Sequence, residues 1–171
     1  MIVLKDVSFQ YEGCEEGVHG IDLTVCDGEC VVLTGPSGGG KTTLTRLLNG
    51  LAPSYYQGTK KGDLWINYTE IASLPAWKIG QEIGSVFQDP KSQFFSSELA
   101  GEVAFACENY GMAKQEIRKR TDEAIASMGL ETLRARPLDV LSSGEKQRVA
   151  VASVYALRPH TYVCDCLLYT S

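Results

Sequence analysis

The run Gly35-Pro-Ser-Gly-Gly-Gly-Lys41-Thr42 decides the reading of this chain. It fits the pattern G-x-x-x-x-G-K-[ST] and follows directly on the apolar run Cys30-Val-Val-Leu-Thr34. This order predicts a buried strand over 30–34, a glycine-rich turn, and a helix opening near Lys41. In such a turn the backbone N–H groups and the positive end of the helix dipole converge on one place, which suits a polyphosphate. Gly35, Pro36, Ser37, Gly38, Gly39, Gly40, Lys41, Thr42 and Thr43 are therefore the candidate phosphate-binding residues. Lys41 is expected to reach the β- and γ-phosphates of a nucleoside triphosphate, and the Thr42 hydroxyl to ligate Mg²⁺. A glycine-rich turn that binds nothing is the bland alternative, and the full match between strand and helix gives it little weight.

Outward from this loop, composition sets bounds. The chain has 171 residues, of which 44% are hydrophobic and 22% charged, as in an ordinary soluble domain with a real core. A formal charge of −5 argues against a nucleic-acid partner, which would demand excess Lys and Arg. The basic cluster Arg118-Lys119-Arg120 lies among Glu116, Asp122 and Glu123 and reads as a solvated helix face. No stretch has the apolar length of a transmembrane helix, and the N-terminus lacks signal-peptide features, so any membrane role is expected to run through a partner. Six cysteines (14, 26, 30, 107, 164 and 166) suggest neither a disulfide framework nor a metal site. Cys30 and Cys164 fall in apolar runs where a thiol behaves as a small hydrophobe.

Before the loop, Ile2–Leu4, Val7–Tyr11 and Ile21–Val25 read as short strands separated by turn residues. After it, Leu44, Leu47, Leu48 and Leu51 recur at helical spacing, and the helix should stop between Asn49-Gly50 and Pro53. Leu64–Ile66 and Ile83–Phe87 are further strand candidates, and residues 88–140 turn helical. Val103, Ala104 and Cys107 mark one helix face; Ile117, Ala124, Ile125 and Met128 mark another, with Gly129 at C′. A third helix is expected from Ser142 or Ser143 to Leu157, followed by a buried strand Thr161–Asp165. The fold class is α/β: a nucleotide-binding core with an N-terminal antiparallel β-subdomain and a helical insertion, over residues 1–165.

The second motif, Leu141-Ser-Ser-Gly-Glu-Lys-Gln-Arg148, places small residues and a hydroxyl at a helix N-terminus, a second anion-friendly position. Alone it would be an ordinary Ser N-cap. Lying far beyond the glycine-rich loop and ahead of a strand ending in Asp, it resembles the LSGGQ-x-QR signature of ATP-binding-cassette (ABC) ATPases. The resemblance implies a head-to-tail pair of cassettes, in which the signature of one closes on ATP held by the other. Ser142, Ser143, Gly144 and Glu145 would then face nucleotide, with Ser143 and Glu145 departing from the commonest Gly and Gln. It also places Tyr11 as the aromatic that stacks on adenine, and Gln88 as the glutamine touching Mg²⁺ and the attacking water. Asp165 falls at the position that holds Mg²⁺ through water. Lys41, Gln88 and Asp165 are the expected catalytic set, and ATP and Mg²⁺ the expected ligands.

Val86-Phe-Gln-Asp-Pro-Lys-Ser-Gln-Phe94, with Glu102–Asn109 and Leu48-Asn-Gly-Leu51, is similar to the ATPases of energy-coupling factor (ECF) and cobalt-type importers. That resemblance implies ATP-driven uptake of a vitamin or metal ion from the cytoplasmic face of a membrane. The partners it implies are a second cassette, a transmembrane coupling subunit and a substrate-binding membrane subunit. A soluble ABC ATPase acting on nucleic acid or ribosomes is the competing class; it would call for a second cassette, coiled-coil arms or basic segments.

After Asp165 that family continues into a catalytic Glu and a later histidine, whereas this chain reads Cys166-Leu-Leu-Tyr-Thr-Ser171. Those six residues are what TGT-CTC-TTA-TAC-ACA-TCT encodes, a string within a transposase adapter end used in sequencing libraries. The expectation is an untrimmed adapter over 166–171, a gene that continues, and an Asp or Glu at codon 165, with Asp favoured by the resemblance. His19 and His160 are expected on the surface. The 171-residue polypeptide is expected to bind Mg-ATP without turning it over, an inert binding fragment as it stands.

Overall fold

The computed structural model describes residues 1–13 and 15–165, and the readings that concern Cys14 and Cys166–Ser171 lie outside them. The chain divides into two compact units, Met1–Ile83 and Gly84–Ser171. The outcome is the expected α/β class, with an antiparallel N-terminal sheet and a helical second part.

In the first unit, strands β1 (Ile2–Tyr11), β2 (Gly17–Val25), β3 (Gly58–Ile66) and β4 (Thr69–Glu70) form one sheet in the order β2-β1-β3-β4. β1 pairs antiparallel with both β2 and β3. Its period-2 pattern buries Ile2 and Leu4, then Val7 and Phe9. The step from Leu4 to Val7 spans three positions because the register shifts around Lys5 and Asp6, so the two predicted runs are one bulged strand. Leu64 and Ile66 of β3 join the same core. Between β2 and β3 lie helix α1 (Lys41–Leu48) and a short turn α2 (Leu51–Ser54), and α3 (Ala76–Glu82) closes the unit. Leu44, Leu47 and Leu48 are buried on one face of α1.

One expectation fails here. The run Cys30–Thr34 is not a strand: among the described residues it has no ladder partner, and Val31, Val32 and Leu33 are 46%, 76% and 41% exposed. Apolar, β-branched residues favour a strand only when a neighbouring strand takes up their backbone groups, and here none does. Cys30 is exposed with them, contrary to the small-hydrophobe reading.

The second unit is built on α4 (Leu99–Asn109), α5 (Lys114–Ser127) and α6 (Ser143–Leu157), with strands β5 (Ile83–Val86) and β6 (Thr161–Cys164) paired beside them. Leu99, Val103 and Cys107 meet Ala124 and Ile125 and the α6 residues Val149, Ala152 and Ala156 in one core. A different face of α6, Ala150 and Val154, packs with Val86 of β5. This helix is covered on two sides, so its sequence shows no clean amphipathic stripe. A Cβ on Gly84 would lie 2.3 Å from Val154 Cγ1, which shows how closely β5 approaches the helix. β6 alternates rather than being buried throughout: Val163 is buried while Tyr162 and Cys164 are exposed. Among the described residues the buried thiol is Cys107, whose pKa is raised by burial. Gly129 takes the C′ position after α5 with φ 62°, and His19 and His160 are exposed.

Candidate functional site

The first unit contains the glycine-rich loop. α1 opens on Gly40, whose φ of 80° is a left-handed conformation that a side chain would strain. There is also no room for one, because a Cβ there would lie 2.5 Å from Val18 Cγ1. Gly38 has φ 79°, and a turn within the loop is closed by Gly39 N–H donating to Pro36 O at 3.2 Å. No side chain caps the helix. The first four N–H groups of a helix have no intrahelical partner, so the donors of this first turn remain available to an external acceptor. Lys41 Nζ donates to Gly35 O at 2.9 Å and to Pro36 O at 2.7 Å, which holds the ammonium against the loop. This donor set fits a polyphosphate with Mg²⁺: N–H groups and an ammonium for phosphate oxygens, and the Thr42 hydroxyl as a hard oxygen ligand.

Tyr11, at the end of β1, is tied to the first turns of α1. Its hydroxyl donates to Thr43 Oγ1 at 3.1 Å and accepts from Arg46 Nη1 at 3.0 Å. Its ring meets Phe9 edge-on, with centroids 4.9 Å apart. A groove of about 670 Å³ adjoins it, lined by Gln10, Tyr11, Glu12, Glu15, Gln57 and Thr59 among others. The groove contains none of the loop residues 35–43, and its two glutamates repel phosphate. The loop thus remains the candidate phosphate site, and the groove is neighbouring space at the Tyr11 end. Sequence reading reached Tyr11 but missed Arg46 and Tyr56, which stack on one another; a basic residue five positions beyond Lys41 gave no signal by itself.

In the second unit, Asp165 N–H donates to Val86 O at 2.9 Å. Asp165 and Gln88 thus leave the β5–β6 pair at the same end, Asp165 buried and Gln88 exposed. Two residues that sequence reading missed brace the segment around Gln88. Gln93 accepts from Phe87 N–H at 3.1 Å, and the buried Glu102 carboxylate accepts from Phe95 and Ser96 N–H at 2.8 Å each.

The signature segment caps α6. Ser142 Oγ accepts from Glu145 N–H at 3.3 Å, while Glu145 Oε2 accepts from both Ser142 N–H and Ser142 Oγ–H at 2.7 Å. This reciprocal capping box satisfies donors that an anion would otherwise bind. The Ser142 hydroxyl and then its N–H, both donating to the Glu145 carboxylate, hold its pKa below the usual range. Beyond it, Lys146 Nζ donates to Asp139 O at 3.0 Å and Arg148 Nη1 to Met128 O at 3.2 Å. The later residues of the motif are thus occupied by packing, with Arg148 placed favourably at the C-terminal end of α5.

Comparison with known proteins agrees with the family resemblance. A family profile described as ABC transporter matches residues 18–166. Two proteins of Treponema denticola that carry the name ABC transporter ATP-binding protein are 39% and 42% identical to this chain over 96% of its length. CbiO1 of Clostridium perfringens, part of the ABC transporter complex CbiONQ, superposes with a TM-score of 0.83 at 31% identity, over 96% of this chain and 64% of that one. The chain spans about a third (34%) of the length of the Treponema relatives. It belongs to the ABC transporter family, as an ATP-binding domain.

Proposed function

We propose that this ABC transporter ATP-binding domain binds Mg-ATP at Gly35–Thr43 and supplies one cassette of an energy-coupling-factor-type importer. The observation that carries the binding reading is the uncapped, glycine-opened N-terminus of α1, with Lys41 held beside it. The subtype rests on the sequence around Gln88 and on the likeness to CbiO1. In the working assembly, water attacks the γ-phosphate, and ADP and inorganic phosphate leave. Lys41 would stabilise the charge that develops on the phosphoryl oxygens, and Gln88 and Asp165 would hold Mg²⁺ and the water. Mg²⁺, when bound, neutralises the β- and γ-phosphates.

A second cassette contributes its Ser142 region in trans, and a transmembrane coupling subunit and a substrate-binding membrane subunit complete the machine at the cytoplasmic face. The cargo class is a vitamin or a metal ion. Among the described residues no helix is long and apolar enough to cross a membrane.

The test is recovery of the tagged protein from detergent-solubilised membranes of its source. Co-purification of a second cassette and a polytopic membrane protein supports the importer; recovery with RNA or ribosomes instead would contradict it.

A further inference from the structure

We infer that Arg46 and Tyr56 are positioning residues that set the Tyr11 ring as a platform for the nucleotide base. The inference rests on the reading that Gly35–Thr43 binds nucleotide, and it assigns a role to two residues that neither motif contains. Thr43 and Arg46 stand three positions apart on α1 and so share a face. The Tyr11 hydroxyl lies between them, accepting from Arg46 and donating to Thr43. The Arg46 guanidinium lies 3.8 Å from the Tyr56 ring centroid and 5.9 Å from that of Tyr11. Tyr56 is itself fixed by its N–H donating to Leu51 O at 2.9 Å. The two tyrosine rings meet at 85°, and the buried Phe9 meets Tyr11 at 88°.

Each contact restrains a different freedom of Tyr11. Phe9 sets the position of the ring, Thr43 and Arg46 fix its hydroxyl, and Arg46 packs on one face. A planar base therefore stacks on the face of Tyr11 turned from Arg46, next to the groove that Tyr11 lines. Removing Tyr56 leaves the guanidinium without its stacking partner, and Arg46 no longer pins the Tyr11 hydroxyl. The base share of affinity then falls while the phosphate share, made by Lys41 and the loop N–H groups, stays.

Calorimetric titration of the 171-residue chain with Mg-ATP and with Mg-tripolyphosphate separates the two shares. Tyr56→Ala changes no charge, so it is expected to weaken ATP about tenfold, with tripolyphosphate within twofold of the parent chain. Tyr56→Phe keeps the ring and is expected to restore ATP affinity. Arg46→Ala should likewise cost ATP more than tripolyphosphate. Equal losses for both ligands in Tyr56→Ala would mean damage to the fold and overturn the inference, as would an unchanged ATP affinity. If the parent chain binds tripolyphosphate as tightly as ATP, the base contributes nothing and this inference fails while the phosphate site stands. If the parent chain binds neither, the nucleotide reading fails and takes this inference with it.

Discussion

Two helix N-termini in this molecule look alike in sequence and differ in structure. α1 follows a short stretch of small residues and α6 begins on one, and each was expected to meet phosphate. The first opens on a left-handed glycine and has no side-chain cap. The second opens on Ser142, whose hydroxyl and N–H are engaged with Glu145 in a capping box. The dipole offers the same partial positive charge in both places. At α6 a carboxylate of the chain already occupies it; at α1 nothing built from a side chain does. A motif that supplies small residues is therefore only half of an anion site, and the other half is whether the helix caps itself. The Glu at position 145, where the family commonly has Gln, matters for this reason: it makes α6 self-sufficient, and phosphate from a second cassette would have to displace a negative charge.

The largest expected effect that could break this comparison is at Lys41. Lys41→Ala removes the ammonium that charge-assists phosphate binding, and Mg-ATP affinity is expected to fall by about thirtyfold or more, measured by calorimetry. Next is Gly40→Ala, which forces a side chain into φ 80° and against Val18. A loss of about 2 kcal/mol in urea-melt stability is expected, together with weaker nucleotide binding. Ser142→Ala removes the α6 cap and should cost about 1 kcal/mol in the same melt.

How much of this was legible in the sequence follows from the same residues. The loop 35–42 was readable because short-range geometry calls for those residue types at that spacing, and the segment 141–148 through its resemblance to the family signature. α1 and α5 were readable because apolar periodicity and the stops at Asn49 and Gly129 agree, and α6 because a Ser start and the Pro159 stop bound it. The run 30–34 was misread because four apolar residues specify a preference for burial and not a partner strand. Cys30 went wrong for the same reason, and Cys164 because β6 alternates and turns it outward. Arg46 and Tyr56 escaped because they act through contacts outside any motif, and Gln93 and Glu102 because their stretches were read for resemblance and not for the backbone N–H groups they hold. Glu145 was read only as a departure from the commonest Gln; its pairing with Ser142 is a local pattern, S-x-x-E, that the resemblance to a longer signature had obscured.

The smallest expected effect sharpens the comparison through pH. The folded state lowers the Glu145 pKa, so its contribution to stability is fully present above the unfolded carboxylate value. That contribution is lost as pH falls through the lower folded value. Thermal melts of the parent chain and Glu145→Gln from neutral pH into the acid range are expected to converge at the acid end. Curves that stay parallel throughout would show that the charge of Glu145 does not support the cap.

The most direct test of the central claim is a titration of the isotope-labelled chain with Mg-ATP, followed amide by amide by NMR at dilute protein. The account predicts that Gly38–Thr43 amides shift and saturate with one ligand per chain, while Ser143–Lys146 amides stay in place. Shifts at the α6 N-terminus with a silent glycine-rich loop would contradict it.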